Sequence, residues 1–165
     1  MLPAAPALAA SSGSKSTSTT TSKNELLKST ELWSTIDVCN PPDEPDTVGV
    51  RGSMPGNGQS GDVMYMSFAL QYLDMTTNVW VNLSTGTAPE FVAVGGAKSA
   101  RQAGRSFQLI PVPGKPAFTL RGVVSFQWRR GTKVLLEVSR PTSAGHKSLA
   151  GADPANFSAA TCPIG

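Results

Sequence analysis

The sequence contains a single histidine, His146, with Ser143 before it and Asp153 after it. These three types can serve as nucleophile, general base and orienting acid. No G-x-S-x-G frames a serine, however, and Gly145-His146-Lys147 reads as an exposed turn, so a hydrolase using His146 is the lesser expectation. One histidine and two cysteines supply no zinc set, and no metal is expected. Asp43, Glu44 and Asp46 in the loop NPPDEPD offer oxygen ligands without the spacing of a calcium loop. The run Gly56-Asn57-Gly58-Gln59-Ser60-Gly61 has the form G-x-G-x-x-G, but Pro55 precedes it and a strand follows. It is therefore read as a connection, and no cofactor is expected. Two groups suit binding. Trp80, flanked by Asn78 and Asn82, and Tyr65 can form an aromatic platform for a neutral glycan. Arg121, Arg129 and Lys133 can form a basic strand face for an anionic glycan or acidic partner.

Strands must position these groups. In AFTLRGVVSFQWRRGTKVLLEVSR (117–140), Phe118, Leu120, Val124, Phe126 and Trp128 share one parity while Thr119, Arg121, Ser125, Gln127 and Arg129 share the other. A period of two buries one face and wets the other. The pattern resumes after Gly131 with Val134, Leu136 and Val138. Pairing the apolar sets sets Trp128 opposite Val134, Phe126 opposite Leu136 and Val124 opposite Val138. This requires an odd loop at Gly131, because a two-residue loop brings Lys133 to the core face. Similar reasoning marks strands at 32–39, 47–53, 63–73, 78–83, 91–94, 105–110 and 156–164. For Trp80 the register is open: an even loop after Asp74 turns it outward beside an inward Val81, and an odd loop turns it inward.

Cys39 and Cys162 lie at the two ends of this patterned region and suit a disulfide between the first and last strands; two unpaired buried thiols are the alternative. A disulfide implies an oxidising compartment. The opening MLPAAPALAA resembles the tail of a secretion signal, with Ala7-Leu8-Ala9 as a cleavage site, and residues 1–10 are expected to be its remnant. In SSGSKSTSTTTS, ten of twelve residues are Ser or Thr. No core can be built from it, so 11–30 is expected to be a disordered tether, with a frayed helical turn from Asn24 to Thr30, and 31–165 the folded domain. No stretch has the length of a membrane span. The net charge of +3 is too small to imply a nucleic-acid partner. It divides unevenly: residues 31–83 hold one basic and seven acidic residues, a net of −6, and residues 84–165 hold ten and three, a net of +7. Interleaving of the halves in space would cancel most of this.

Many short strands, frequent turn signals and one disulfide describe an all-β antiparallel two-sheet sandwich of about seven or eight strands. On VSFQWRRGTKV, a tryptophan-bearing strand with its hairpin partner, and DPANFSAATC near the end, the chain resembles immunoglobulin-like and fibronectin-type modules of exported bacterial proteins over 31–165. It departs from antibody-type domains in placing its first cysteine on the first strand. The resemblance implies a secreted or cell-envelope, non-catalytic module with a binding or structural role, its partner a glycan or another surface protein.

Overall fold

The computed structural model describes residues 20–84, 89–146 and 149–165. It is all-β with antiparallel sheets. Among the described residues nine strands follow one short helix: α1 (Lys23–Lys28), β1 (Trp33–Cys39), β2 (Thr47–Met54), β3 (Val63–Asp74), β4 (Val79–Asn82), β5 (Val92–Gly96), β6 (Arg101–Gln108), β7 (Phe118–Arg130), β8 (Lys133–Pro141) and β9 (Cys162–Ile164). A three-stranded sheet runs β1-β2-β6. A six-stranded sheet runs β4-β3-β7-β8, with β5 beside β3 and β9 beside β7. Ile36, Val48 and Val50 from the smaller sheet and Met64, Met66, Val124, Phe126 and Trp128 from the larger are fully buried in one core. The alternating strands β3 and β7 pair along ten residues, from Val63↔Arg129 to Tyr72↔Leu120. The two charge halves interleave, since acidic-half strands β2 and β3 pair with basic-half strands β6 and β7. Among the described residues no helix is long and apolar enough to cross a membrane.

The central hairpin differs from the expected register. Trp128 lies opposite Leu136, Phe126 opposite Val138 and Val124 opposite Arg140, two positions along from the pairing expected. The turn is the two residues Gly131-Thr132, with Gly131 at φ 56°. The parity problem posed by so short a loop is solved by a bulge between Trp128 and Arg129, beyond which Arg129 faces Val134 and Arg130 faces Lys133. One surplus residue in β8 brings Leu136 and Val138 to the core, as a bulge does, and leaves Val134 exposed on the outer face. Near the tip, Arg130 bonds the buried Asp62 at 2.7 Å, and this guanidinium holds the Asp62 carboxyl below the usual carboxylate range.

Cys39 and Cys162 form a disulfide, with Cα atoms 5.6 Å apart. It joins the end of β1 in one sheet to β9 in the other. Residues 20–30, expected as part of the tether, carry ordered structure. Ser22 caps α1 reciprocally with Glu25: Ser22 N–H donates to Glu25 Oε2 at 2.7 Å, and Glu25 N–H donates to Ser22 Oγ at 3.3 Å. Leu26 is buried in the core. The expected signal remnant, 1–10, and most of the tether lie outside the described residues.

Candidate functional site

Asp74 and Asn78 decide where Trp80 points. Asp74 Oδ1 accepts from the Thr76 N–H at 2.8 Å, and Asn78 adopts φ 54°, which closes a four-residue loop from Met75 to Asn78. The loop is even, so Val81 lies beside inward-facing Tyr72 and Trp80 beside Leu73 on the outer face. The tryptophan is half-buried and does not belong to the core.

On that outer face β3 presents Tyr65, Ser67, Ala69, Gln71 and Leu73, and β7 presents Arg121, Val123, Ser125, Gln127 and Arg129. The aromatic and basic groups, separate candidates in the sequence, merge here. The Arg121 guanidinium stacks 4.4 Å from the centre of the Trp80 ring. Its Nε–H donates to Gln71 Oε1 at 2.8 Å, and Gln71 in turn donates to Asn82 Oδ1 at 2.9 Å. At the other end, the Arg129 guanidinium lies 4.0 Å from the Tyr65 ring centre and 5.3 Å from that of Phe91. Its Nε–H donates to Gln127 Oε1 at 2.6 Å, and Gln127 donates to Glu137 Oε2 at 2.5 Å. Between the clusters the floor is small: Ser67, Ala69 and Val123, with Ser125 and Ser139 hydroxyls 2.7 Å apart. Burial lowers the Arg121 pKa from its ordinary value, yet a guanidinium remains charged in a folded protein.

Lys133 leaves the group. Opposite Arg130 past the bulge, it takes the parity of the other face and is exposed at the hairpin tip. Phe91, Gln71 and Gln127 join the site unforeseen. Phe91 precedes β5, whose Ala93 pairs with Tyr65, so the benzyl group falls beside Arg129. The two glutamines lie on the polar parity of neighbouring strands, which was the signal available.

The structure places Ser143 against His146 and leaves Asp153 out. Ser143 Oγ is 3.3 Å from His146 Nε2, but the same hydroxyl lies 3.3 Å from the Ser34 carbonyl, and its one proton serves only one of them. Asp153 donates its backbone N–H to the Asp37 carbonyl. The imidazole stacks on Trp33 with ring centres 4.2 Å apart and planes 14° apart. Burial lowers its pKa from the ordinary 6.5. The unfolded chain therefore takes up this proton at higher pH than the folded chain. The stability contributed by the neutral ring is complete above about pH 7 and is lost as pH falls from about 6.5 through the folded pKa. His146→Phe keeps the stack and removes the proton. Melting temperatures at pH 7.5 and 5.5 are expected to fall further in the native protein than in this variant; parallel losses would show that the ring is not desolvated.

Asp43, Glu44 and Asp46 lie in a loop closed by its own bonds, the Asp46 N–H donating to Asn40 Oδ1 at 2.7 Å. Among the described residues no three His, Cys, Asp or Glu side chains converge as metal ligands.

No family model matches the chain, and no curated protein matches it. Among solved structures it is similar to the Pseudomonas fluorescens alkylpurine DNA glycosylase AlkC bound to DNA containing an abasic site analog. The identity is 13%, the match covers 68% of this chain and 29% of that one, and the TM-score is 0.34. The chain thus spans less than a third of that protein, and a likeness of this degree carries no argument about its function.

Proposed function

We propose that the chain is an exported, non-catalytic binding module, an immunoglobulin-like sandwich, that grips an extended acidic glycan along the outer face of its six-stranded sheet. The observation that supports this reading is the pair of guanidinium–aromatic clusters at the two ends of one sheet face. Arg129 stands eight positions along β7 from Arg121, which is about 26 Å of strand. Each guanidinium has its Nε engaged by a glutamine and its plane laid on a ring, so its terminal nitrogens are held in a fixed orientation. A fixed fork loses little side-chain entropy when it bonds a carboxylate or sulfate. Each ring gives one face to a guanidinium, which favours an anionic sugar over a neutral one. The serine floor between them supplies hydroxyl partners. The disulfide supports an extracytoplasmic setting.

Acidic and neutral glycans displayed at low and high salt test the reading. Binding to acidic glycans that weakens with salt is expected, because exposed charge pairing is screened over about 8–10 Å near physiological ionic strength. Trp80→Ala and Arg121→Ala are each expected to weaken binding about tenfold, and the double variant little more than either, since the two side chains act as one unit. Equal binding of neutral glycans, or none of either kind, would remove the proposal.

The Ser143–His146 contact favours a second reading, a hydrolase. Turnover of simple esters abolished by both Ser143→Ala and His146→Ala would replace the first assignment with this one.

A further inference from the structure

The opposite sheet carries a cleft of about 250 Å³ on the outer face of β1-β2-β6, lined by Asp37, Gly49, Arg51, Gly104, Ser106 and Gly151. Its origin is a bulge. In the β1–β2 ladder Ile36 pairs with Val50 and Val38 with Gly49, so Asp37 is the surplus residue. A bulged residue is re-aimed relative to the pleat, and here the carboxylate swings over β2. Asp37 Oδ2 accepts from Arg51 Nε–H at 2.7 Å, and Arg51 Nη2–H donates to the Ala150 carbonyl of the covering loop at 2.5 Å.

That ion pair fastens β1, β2 and the loop together, but fastening uses only part of it. Asp37 Oδ1 and Arg51 Nη1 have no partner among the described residues, and Ser106 is exposed at the same cleft. The Asp37 side chain is 6% exposed, and because no fully enclosed side-chain oxygen lacks a bond, Oδ1 reaches solvent. Gly104 keeps the space open: a Cβ there would meet nothing nearer than the Val50 carbonyl at 3.3 Å, so a larger side chain would grow into the cleft. Gly49, by contrast, is closely packed, a Cβ there standing 2.8 Å from both Asp37 Oδ1 and Val38 Cβ.

We propose that this cleft is a second binding site, for the vicinal diol of a neutral sugar. An aspartate acceptor beside an arginine donor matches two adjacent hydroxyls: one donates to Asp37 Oδ1 and its neighbour accepts from Arg51 Nη1–H, with Ser106 in reach of a third. Arg105 also borders the cleft, but it pairs with the inward Val50 and its guanidinium lies over the Phe107 ring. The charges left facing the cleft are the Asp37 carboxylate and the Arg51 guanidinium, which disfavours a net ion. Its volume lies below the roughly 300–1,000 Å³ of drug-sized pockets and fits a single ring. The site lies on the other sheet from the arginine–aromatic face and does not depend on it.

Amide chemical shifts of the oxidised protein, titrated with galactose, mannose and glucose, test this, with acetamide and acetate as controls. At least one sugar is expected to shift Gly49, Gly104 and Ser106 saturably, with a dissociation constant of about 1–10 mM for so small a contact. Gly104→Val, which leaves the ion pair intact, is expected to weaken that sugar at least about tenfold while keeping a dispersed spectrum. Asp37→Asn, in any preparation that keeps the fold, is expected to do the same. Absence of saturable shifts with every sugar would overturn the proposal. So would equal shifts with acetamide or acetate, or binding unchanged in Gly104→Val.

Discussion

Replacing Cys39 and Cys162 together by alanine is expected to lower the melting temperature by about 8–20 °C. The bridge closes a loop with a sequence separation of 123 residues. Removing that constraint from the unfolded chain costs about 4–5 kcal/mol in the loop-closure picture, and each kcal/mol is worth about 2–4 °C in a domain of this size. The position of the bond argues for the upper part of that range. Strand β9 is three residues long and pairs only with Phe118, Thr119 and Leu120 of β7, so it has little of its own to hold it. Cys39 ends β1, an edge strand of the smaller sheet. The bond is thus a covalent tie between the sheets at one pole. Melting followed by circular dichroism with and without reductant, together with the alanine pair, measures it. A loss below about 1 kcal/mol would show that the Ala159–Ile36 bridge and the β9 ladder already hold both ends.

The same tie bears on the setting in which the protein works. A domain of this length has a total stability of about 5–15 kcal/mol, so 4–5 kcal/mol is a large share of it. In a reducing compartment the protein would lose that share, and the export proposal is the one under which the bond persists.

Strands β3 and β7 could be read from the sequence because each buries one face along its length, and period two then marks the core face from Met64 to Tyr72 and from Leu120 to Trp128. Registers were harder. Parity did not fix the β7–β8 pairing: Val134 and Leu136 share a parity and either can face Trp128, and the bulge after Trp128, which absorbs Leu135, shifts the whole pairing by two positions without changing composition. Trp80 was undecidable by alternation, because Val79, Trp80 and Val81 are apolar on both parities. What decided it was turn chemistry: Asp74 accepting from the loop and Asn78 in a left-handed conformation that asparagine tolerates. The merging of Arg129 with Tyr65 was hidden for another reason. It needs Tyr65 opposite Gln127, a pairing between strands distant in sequence that neither strand states alone. Asp37 gave no sign either, because nothing in STIDVC marks its aspartate as surplus. The helical turn expected at Asn24–Thr30 is seen as α1, and its start is legible in Ser22-Lys23-Asn24-Glu25, which has the form of a capping box.

Trp128→Ala is expected to cost about 4–5 kcal/mol, and Trp128→Phe about 1–3 kcal/mol, so the pair separates packing from hydrogen bonding. The side chain is fully buried, with Met64 and Leu136 opposite it on the two neighbouring strands. Its indole Nε1–H donates to the Pro55 carbonyl at 2.9 Å, which pins the start of the loop from 55 to 62. Alanine leaves a cavity and orphans that carbonyl; phenylalanine fills most of the volume and loses only the donor. The position also matters to the proposed binding face. The bulge follows Trp128 directly, and the next residue is Arg129, whose guanidinium lies on Tyr65. A cavity under the bulge should loosen that cluster while leaving Arg121 and Trp80 unchanged at the far end. Urea unfolding gives the stability differences, and binding of an acidic glycan by the oxidised variants gives the functional one. Trp128→Ala is expected to weaken binding more than Trp128→Phe under conditions where both remain folded. Equal stability losses in the two variants would assign the effect to the Pro55 hydrogen bond rather than to packing.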